Sequence, residues 1–208
     1  MRWPARFFAW SAIALLFLLA ATEAEAHGSR STPPPPGIQI PSLTHGQMAV
    51  IARYRGAILD LALRQTETDP AFRRLYNHDT LQYTYCLWGL MPGSLADEQS
   101  PFNECSHAYL ATTKALLAYM AKMPSAQNEA KSLISDIDAD MVRSGASWIL
   151  CQFSAEGFST GEIVEPQWRG VFFHLPSLAV LALAAAALFA AAWSIFGSHA
   201  PRNRSVAA

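Results

Sequence analysis

Two apolar segments, one at each end of this 208-residue chain, constrain most strongly what it can form. The first is apolar from residue 7 to residue 21, follows two arginines, and precedes the small residues Ala24 and Ala26. A basic start, a short apolar core and small residues at a cleavage point make up a secretory signal peptide. We therefore predict a signal peptide over residues 1–26, with His27 as the first mature residue. Cleavage after Ala24 and retention as an uncleaved anchor are alternatives, and in each case the following residues are exported.

The second segment carries no charged residue from Gly170 to Ser198 and consists mostly of Leu, Ala, Phe, Val and Trp. In a helix, about 20 such residues cross the ~30 Å hydrocarbon core of a bilayer. The sequence thus predicts one C-terminal transmembrane helix over residues 171–197. Four residues near the ends of this helix are expected at the membrane interface, which favours tryptophan and charged or titratable side chains: Trp168, Arg169, His174 and Trp193.

Basic residues on one side of this helix indicate its orientation. Arg202 and Arg204 follow it, and the positive-inside rule places such residues in the cytoplasm. Residues 198–208 are therefore predicted as a cytoplasmic tail of a single-pass membrane protein, whose N-terminal part is exported, into the periplasm if the cell is bacterial. The helix is rich in alanine from Ala184 to Ala192, which lets membrane helices approach closely. Integral membrane proteins are therefore expected partners besides the membrane itself.

The exported part begins with a proline-rich linker over residues 27–42, which favours an extended polyproline conformation. Residues 43–156 are long enough for one core and are predicted as a single helical domain, followed by a juxtamembrane linker over residues 157–170. The whole chain has a formal net charge of -1 at pH 7 and no run of basic residues. This composition argues against nucleic acid as a partner.

The first two helices of the domain are marked by start signals. Thr44 with Gln47 forms a capping box, and apolar residues recur at helical spacing from Leu43 to Gln65. The pair Asp69–Pro70 is an N-cap followed by a first-turn proline, so a second helix is predicted to start there. The breaker sequence Met91–Gly93 is expected to end it.

Two further helices complete the predicted fold. The pair Ser100–Pro101 repeats the start signal, and Pro124 is expected to close the third helix. Ser125 is expected to cap a fourth helix, whose apolar stripe runs through Trp148 to Cys151. Strand-like alternation is absent. Since short connections favour antiparallel neighbours, we predict an all-α fold, an up-down four-helix bundle on a single membrane anchor.

This antiparallel order brings three distant cysteines to one end of the bundle. Cys86 lies near the end of the second helix, Cys105 near the start of the third, and Cys151 near the end of the fourth. Because thiols oxidise outside the cytoplasm, Cys86 and Cys105 are predicted to form a disulfide. His45 and His107 are expected at the same end. Cys151 is left over, and it either packs in the core, bonds to another chain, or takes part in metal or thiol chemistry.

The sequence offers two alternative metal sites. A mature start at His27 would present an amine and an imidazole, two nitrogen donors that suit copper, and His45 would supply a third nitrogen if the proline-rich linker folds back. The His27-Gly28 start resembles the mature N termini of copper-chaperone and copper-oxygenase families. Alternatively, four side chains provide nitrogen and sulfur donors for zinc or a soft metal: His45, Cys105, His107 and Cys151. This second set competes with the disulfide, because an oxidised cysteine donates no thiolate.

No nucleophile elbow, phosphate-binding loop or dinucleotide fingerprint occurs in the sequence. No catalytic residue is therefore predicted, and an enzyme is the less expected class. The sequence favours an accessory or assembly subunit of a membrane complex, in which the cysteines are structural. The alternative is an exported protein that binds or delivers copper through His27 and the cysteine and histidine side chains at one end of the bundle.

Overall fold

The structure, a computed structural model, describes residues 37–151, 153–154 and 156–197. Three predicted parts of the chain lie outside these residues: the signal peptide over 1–26, His27 with the linker as far as Pro36, and the tail over 198–208. The described residues are mostly helical, with five α-helices, three short 3-10 helices and two strands of two residues each.

The α-helices are α1 (His45–Leu63), α2 (Pro70–Tyr85), α3 (Asn103–Met120), α4 (Gln127–Ser144) and α5 (Leu175–Gly197). The 3-10 helices cover Leu87–Gly89, Ala146–Trp148 and Trp168–Phe172. Strand β1 (Gln39–Ile40) pairs antiparallel with strand β2 (Phe158–Ser159).

The predicted start signals of α1 and α2 are confirmed. The Thr44 hydroxyl accepts the N–H of Gln47 at 3.2 Å, and the Gln47 side chain accepts the N–H of Thr44 at 3.3 Å, which completes the capping box. The Asp69 carboxylate accepts the N–H of Phe72 at 2.8 Å, with Pro70 in the first turn. Both helices therefore begin where a side chain satisfies first-turn N–H groups.

The end predicted for the second helix at Met91–Gly93 is wrong. Helix α2 ends at Tyr85, because Leu87, Trp88 and Gly89 have left-handed backbone with φ of 51°, 55° and 63°. Left-handed residues cannot continue a right-handed helix. The chain therefore turns away from the axis of α2 directly after the helix.

The starts predicted for the third and fourth helices are also wrong by a few residues. Ser100 and Pro101 form a turn, and α3 begins only at Asn103. Helix α4 begins at Gln127, while the hydroxyl of Ser125 donates to the side chain of Gln65 instead of capping the helix. Neither serine caps the helix that follows it. Ser100 lies in the turn before α3, and Ser125 bonds to Gln65.

The apolar stripe predicted to run through Trp148 to Cys151 is wrong beyond the end of α4. The helix ends at Ser144 because Gly145 is left-handed, with φ 62°. Trp148 is 88% exposed, and Cys151 lies in irregular structure. Cys151 nevertheless stays near the predicted end of the domain, because the chain folds back over the start of α1.

Helix α3 lies at the centre of the domain and packs against α1, α2 and α4, while α1 also packs against α4. The start of α1, the end of α2, the start of α3 and the segment after α4 meet at one end. We call this the cysteine end and define it by His45, Cys86, Cys105 and Cys151. At the opposite end, Tyr119 donates to Asp69.

The short strand pair differs from the expectation that strands are absent. Ile40 lies opposite Phe158, and both are buried, with 2% and 7% of their surface exposed. The N–H of Ile38 donates to the Thr160 hydroxyl at 2.8 Å. Residues on both sides of the predicted domain over 43–156 therefore contribute to its core.

Helix α5 is long and apolar enough to cross a membrane, by its length and composition. The candidate span, Leu175–Ile195, has 21 residues and starts after residue 171, because Trp168–Phe172 forms a 3-10 helix. Val180 and Leu181 pack against the helical domain, whereas every residue from 182 to 195 is exposed.

The disulfide between Cys86 and Cys105 confirms the predicted pairing and leads to a stability test. We expect Cys86→Ser and Cys105→Ser each to lower the free energy of unfolding by about 2–4 kcal/mol, because each breaks the same bond across 19 residues. The double change should be little worse than either single change. Chemical denaturation of the three variants measures these losses, and losses that add would contradict the bond.

Candidate metal centre at the cysteine end

Three side chains with metal-binding atoms, His45, His107 and Cys151, meet at the cysteine end. Their ligand atoms all lie within 4.8 Å of one another. The Sγ of Cys151 is 3.2 Å from the Nε2 of His107, and the ring centres of His45 and His107 are 6.1 Å apart. The structure thus brings together three of the side chains predicted as metal ligands.

The other predicted ligands do not belong to this cluster. His27 lies outside the described residues, so its role stays a prediction. Cys105 is bonded to Cys86, offers no thiolate and drops out of the second predicted set. The described donor set therefore consists of two imidazoles and one thiol.

His45 is the first residue of α1, and contacts of the helix start hold it in place. The N–H of the next residue, Gly46, donates to the carbonyl of Ile149 at 3.1 Å. A Cβ on Gly46 would lie 1.8 Å from the carbonyl oxygen of Ala146, so only glycine allows this approach of two backbones. The contact fixes the segment after α4, and with it Cys151, beside His45.

His107 lies near the start of α3 and is fully buried. Its ring packs against Phe153, with ring centres 6.0 Å apart. Burial, and secondly the nearby charge of His45, lowers the pKa of His107 to about 4. Its imidazole is therefore neutral at pH 7, which is the protonation state in which histidine binds a metal ion.

Cys151 is half-buried, and a local turn positions its sulfur. The N–H of Cys151 donates to the hydroxyl oxygen of Ser154 at 2.8 Å, and that hydroxyl donates to the Cys151 sulfur at 3.4 Å. The sulfur thus lies between Ser154 and the ring of His107. The residue that carries this thiol is half-buried, unlike the fully buried His107.

Both histidines have a buried nitrogen without a partner. The Nδ1 atoms of His45 and His107 make no hydrogen bond. A buried polar atom left unpaired costs about 1–3 kcal/mol. Such atoms are uncommon in native proteins, and among the described residues Arg55 Nε, Asn103 Oδ1 and Ser106 Oγ share this state. An ion bound through Nδ1 of His45 would offset the cost at that ring, whereas the His107 nitrogen that lies 3.2 Å from the Cys151 sulfur is Nε2.

The cluster offers borderline and soft donors and leaves at least one coordination position open. Zinc sites of this kind use three protein ligands and keep a fourth position for an exchangeable group, and imidazole with thiolate also suits copper. The arrangement can therefore hold and exchange a transition-metal ion. With a pKa of about 4, the His107 ring is not protonated at neutral pH and has no proton to give as an acid.

The residues predicted at the membrane interface lie before and within α5: Trp168, Arg169, His174 and Trp193. Trp168 packs edge-on against Phe102, with ring centres 5.6 Å apart. The ring of His174 bonds to Asp97 at 3.1 Å and to Ser177 at 2.7 Å. Two of the four thus attach the start of α5 to the helical domain, and the depth of all four in a bilayer stays a prediction.

Two residues that shape the centre were missed by sequence reasoning. Gly46 lies in the first turn of α1, two residues after the N-cap Thr44. The apolar spacing of the helix assigns no role to a glycine at this position. Ser154 follows Cys151, the last residue of the predicted apolar stripe, and was given no role. The one signal that could have revealed the backbone approach at Gly46 is the glycine itself, because a residue without a side chain allows another backbone to come close.

We expect Gly46→Ala to pull Cys151 away from the two histidines, because the added Cβ would collide with the backbone of Ala146. It should lower the free energy of unfolding by about 1–3 kcal/mol and speed alkylation of the Cys151 thiol. Gly56→Ala is the matched control in the same helix, since nothing lies within 4 Å of its added Cβ. It should stabilise by about 0.5–1 kcal/mol and leave alkylation unchanged. Equal behaviour of the two variants would contradict the close approach.

Comparison of the chain with protein-family models, with curated proteins and with solved structures finds no match.

Proposed function

We propose that this protein is an exported, membrane-anchored copper-binding protein whose centre consists of His45, His107 and Cys151. The observation that supports it is the meeting of three donors in one cluster together with two buried imidazole nitrogens that make no hydrogen bond. This proposal favours the metal-handling function over the purely structural role for the cysteines.

The competing explanation is that the three side chains pack together without an ion. A thiol that only fills space needs no polar neighbour, yet the Cys151 sulfur lies 3.2 Å from a ring nitrogen of His107. Packing alone also leaves the buried Nδ1 of His45 without a hydrogen bond, at a cost of about 1–3 kcal/mol. An ion bound through that nitrogen would offset this cost, while His107 would bind through Nε2, the nitrogen that lies 3.2 Å from the sulfur.

The donor types favour copper. Calcium and magnesium prefer carboxylate and carbonyl oxygens, and the three ligands here supply none. Among divalent first-row ions, copper binds a given nitrogen and sulfur site most tightly, and thiolate also suits Cu(I). Three ligands leave a coordination position for an exchange partner or for the predicted mature N terminus at His27. Temporary holding and delivery therefore fits better than permanent storage.

We further propose the finer architecture behind this function: α1 to α4 form an up-down four-helix bundle that a signal peptide over 1–26 exports, into the periplasm in a bacterium. In support, successive helix ends alternate between the cysteine end and the opposite end, where Arg64 pairs with Glu129. The disulfide also supports export, because such bonds persist in oxidising compartments.

An accessory or assembly role in a membrane complex is the second candidate function. It is favoured by α5, whose residues 182–195 are all exposed and rich in alanine, since small residues let membrane helices pack closely. A copper carrier docked on a membrane complex would have both functions. Affinity purification of the full chain from native membranes tests this role, and the absence of any other membrane protein would argue against it.

Removal of one donor is expected to weaken copper binding. His45→Gln and Cys151→Ser should each lower the affinity for Cu(I) by more than the ~10–100-fold that loss of an outer-shell partner causes. The measurement is competition with a chromogenic Cu(I) chelator, carried out without oxygen on the full chain in detergent micelles with its disulfide intact.

His174→Gln is the matched control, because His174 bonds to Asp97 at 3.1 Å and does not belong to the cluster. This variant should retain one copper ion per chain with unchanged affinity. Equal affinity in the native chain, both ligand variants and the control would refute the centre. Tighter binding of zinc than of copper, lost in the same two variants, would keep the site and refute copper as its ion.

A further inference from the structure

The cysteine end is the end of the domain from which the membrane helix leaves. Phe102, directly before α3, is fully buried together with Met91 and Val171. Val180 and Leu181, in the second turn of α5, pack against this group, and the residues further along α5 are exposed. Since α5 runs outward from these contacts, the cysteine end faces the bilayer that α5 would cross.

One loop of the domain shares a buried apolar group with the start of α5. Leu87 packs against the same buried group that Val180 contacts. With a rise of 1.5 Å per residue, Val180 lies roughly 7.5 Å along the candidate span from its first residue, Leu175. A membrane-spanning α5 would therefore keep the loop after α2 close to the start of the span.

Large apolar side chains are exposed around this end. We call them the apolar rim, which consists of Trp88, Leu90, Trp148, Ile149, Leu150 and Phe173. Trp148 is 88% exposed and Phe173 is 89% exposed, so these side chains contribute almost nothing to the core. In the described part of the chain outside α5, Leu63 is the one exposed large apolar residue at the opposite end. The distribution is therefore polarised towards the membrane helix.

In the loop after α2, the backbone directs the side chain of Leu87 inward and the side chain of Trp88 outward. Leu87 and Trp88 are both left-handed, a conformation that disfavours residues with a side chain. Leu87 packs against the buried group, whereas Trp88 is 52% exposed. Backbone of this kind persists where surrounding contacts over-determine it, often at functional loops. The contact of Leu87 near α5 thus fixes Trp88 on the outside.

We propose that the apolar rim enters the headgroup layer of a phospholipid bilayer and holds the cysteine end at the membrane surface. The candidate span continues from the same end, so the bilayer is the surface that this end meets first. Tryptophan is enriched at membrane–water interfaces, where one side of its ring system is apolar and the other is polar. The proposal depends on α5 crossing a membrane and does not depend on a bound ion.

Fluorine NMR of the full chain, labelled with fluorotryptophan in phosphatidylcholine nanodiscs, tests this placement. Trp88→Phe and Trp148→Phe assign the two signals, and both positions are exposed, so the core is not disturbed. A lipid with a nitroxide near the headgroup end of its acyl chain should broaden both signals strongly. A water-soluble gadolinium chelate should broaden them much less.

Leu63→Trp supplies the matched control, because Leu63 is 66% exposed at the opposite end. The indole that it introduces should show the reverse pattern, with broadening by gadolinium and none by the nitroxide lipid. The proposal is overturned if the signal of Trp88 or Trp148 follows the control. Signals shielded from both agents would mean that a protein covers the rim, either a partner or a second copy, and would also overturn the lipid placement.

Discussion

One close backbone approach, between Gly46 at the start of α1 and Ala146 after α4, holds the cysteine end together. Because Gly46 has no side chain, its N–H reaches the carbonyl of Ile149 at 3.1 Å, and the chain after α4 is drawn over the helix start. Cys151 then lies beside the two histidines. The disulfide makes the corresponding connection between α2 and α3. These two links bring four helix ends together and leave one thiol next to two imidazoles.

The disulfide also determines which chemistry is left for the third cysteine. With Cys86 and Cys105 bonded to each other, Cys151 has no intramolecular thiol partner among the described residues and can act as a metal ligand. Burial keeps His107 neutral at pH 7. A metal ion therefore does not have to displace a proton to bind a nitrogen of this ring. If the apolar rim lies in the headgroup layer, an ion at this centre is held close to the membrane surface. The exported parts of membrane-embedded partner proteins begin at the same surface.

The features that depend on local chemistry could be predicted from the sequence. The caps at Thr44 and Asp69 are hydrogen bonds between near neighbours, and the pairing of Cys86 with Cys105 was expected because both lie at neighbouring helix ends in the sequence. Helix ends were predicted poorly, because apolar spacing does not reveal a left-handed residue such as Trp88 or Gly145.

Long-range contacts were beyond the sequence for a different reason. The pairing of Ile40 with Phe158 and the approach of Gly46 to Ala146 join residues about a hundred positions apart, and no short-range pattern records them. The sequence could therefore predict that His45, His107 and Cys151 lie at the same end of the domain, and could not predict the contacts between them. X-ray absorption spectroscopy of the copper-loaded full chain tests its central claim most directly. We predict one sulfur and two imidazole nitrogens around the copper, whereas a coordination shell without sulfur would contradict a centre built on Cys151.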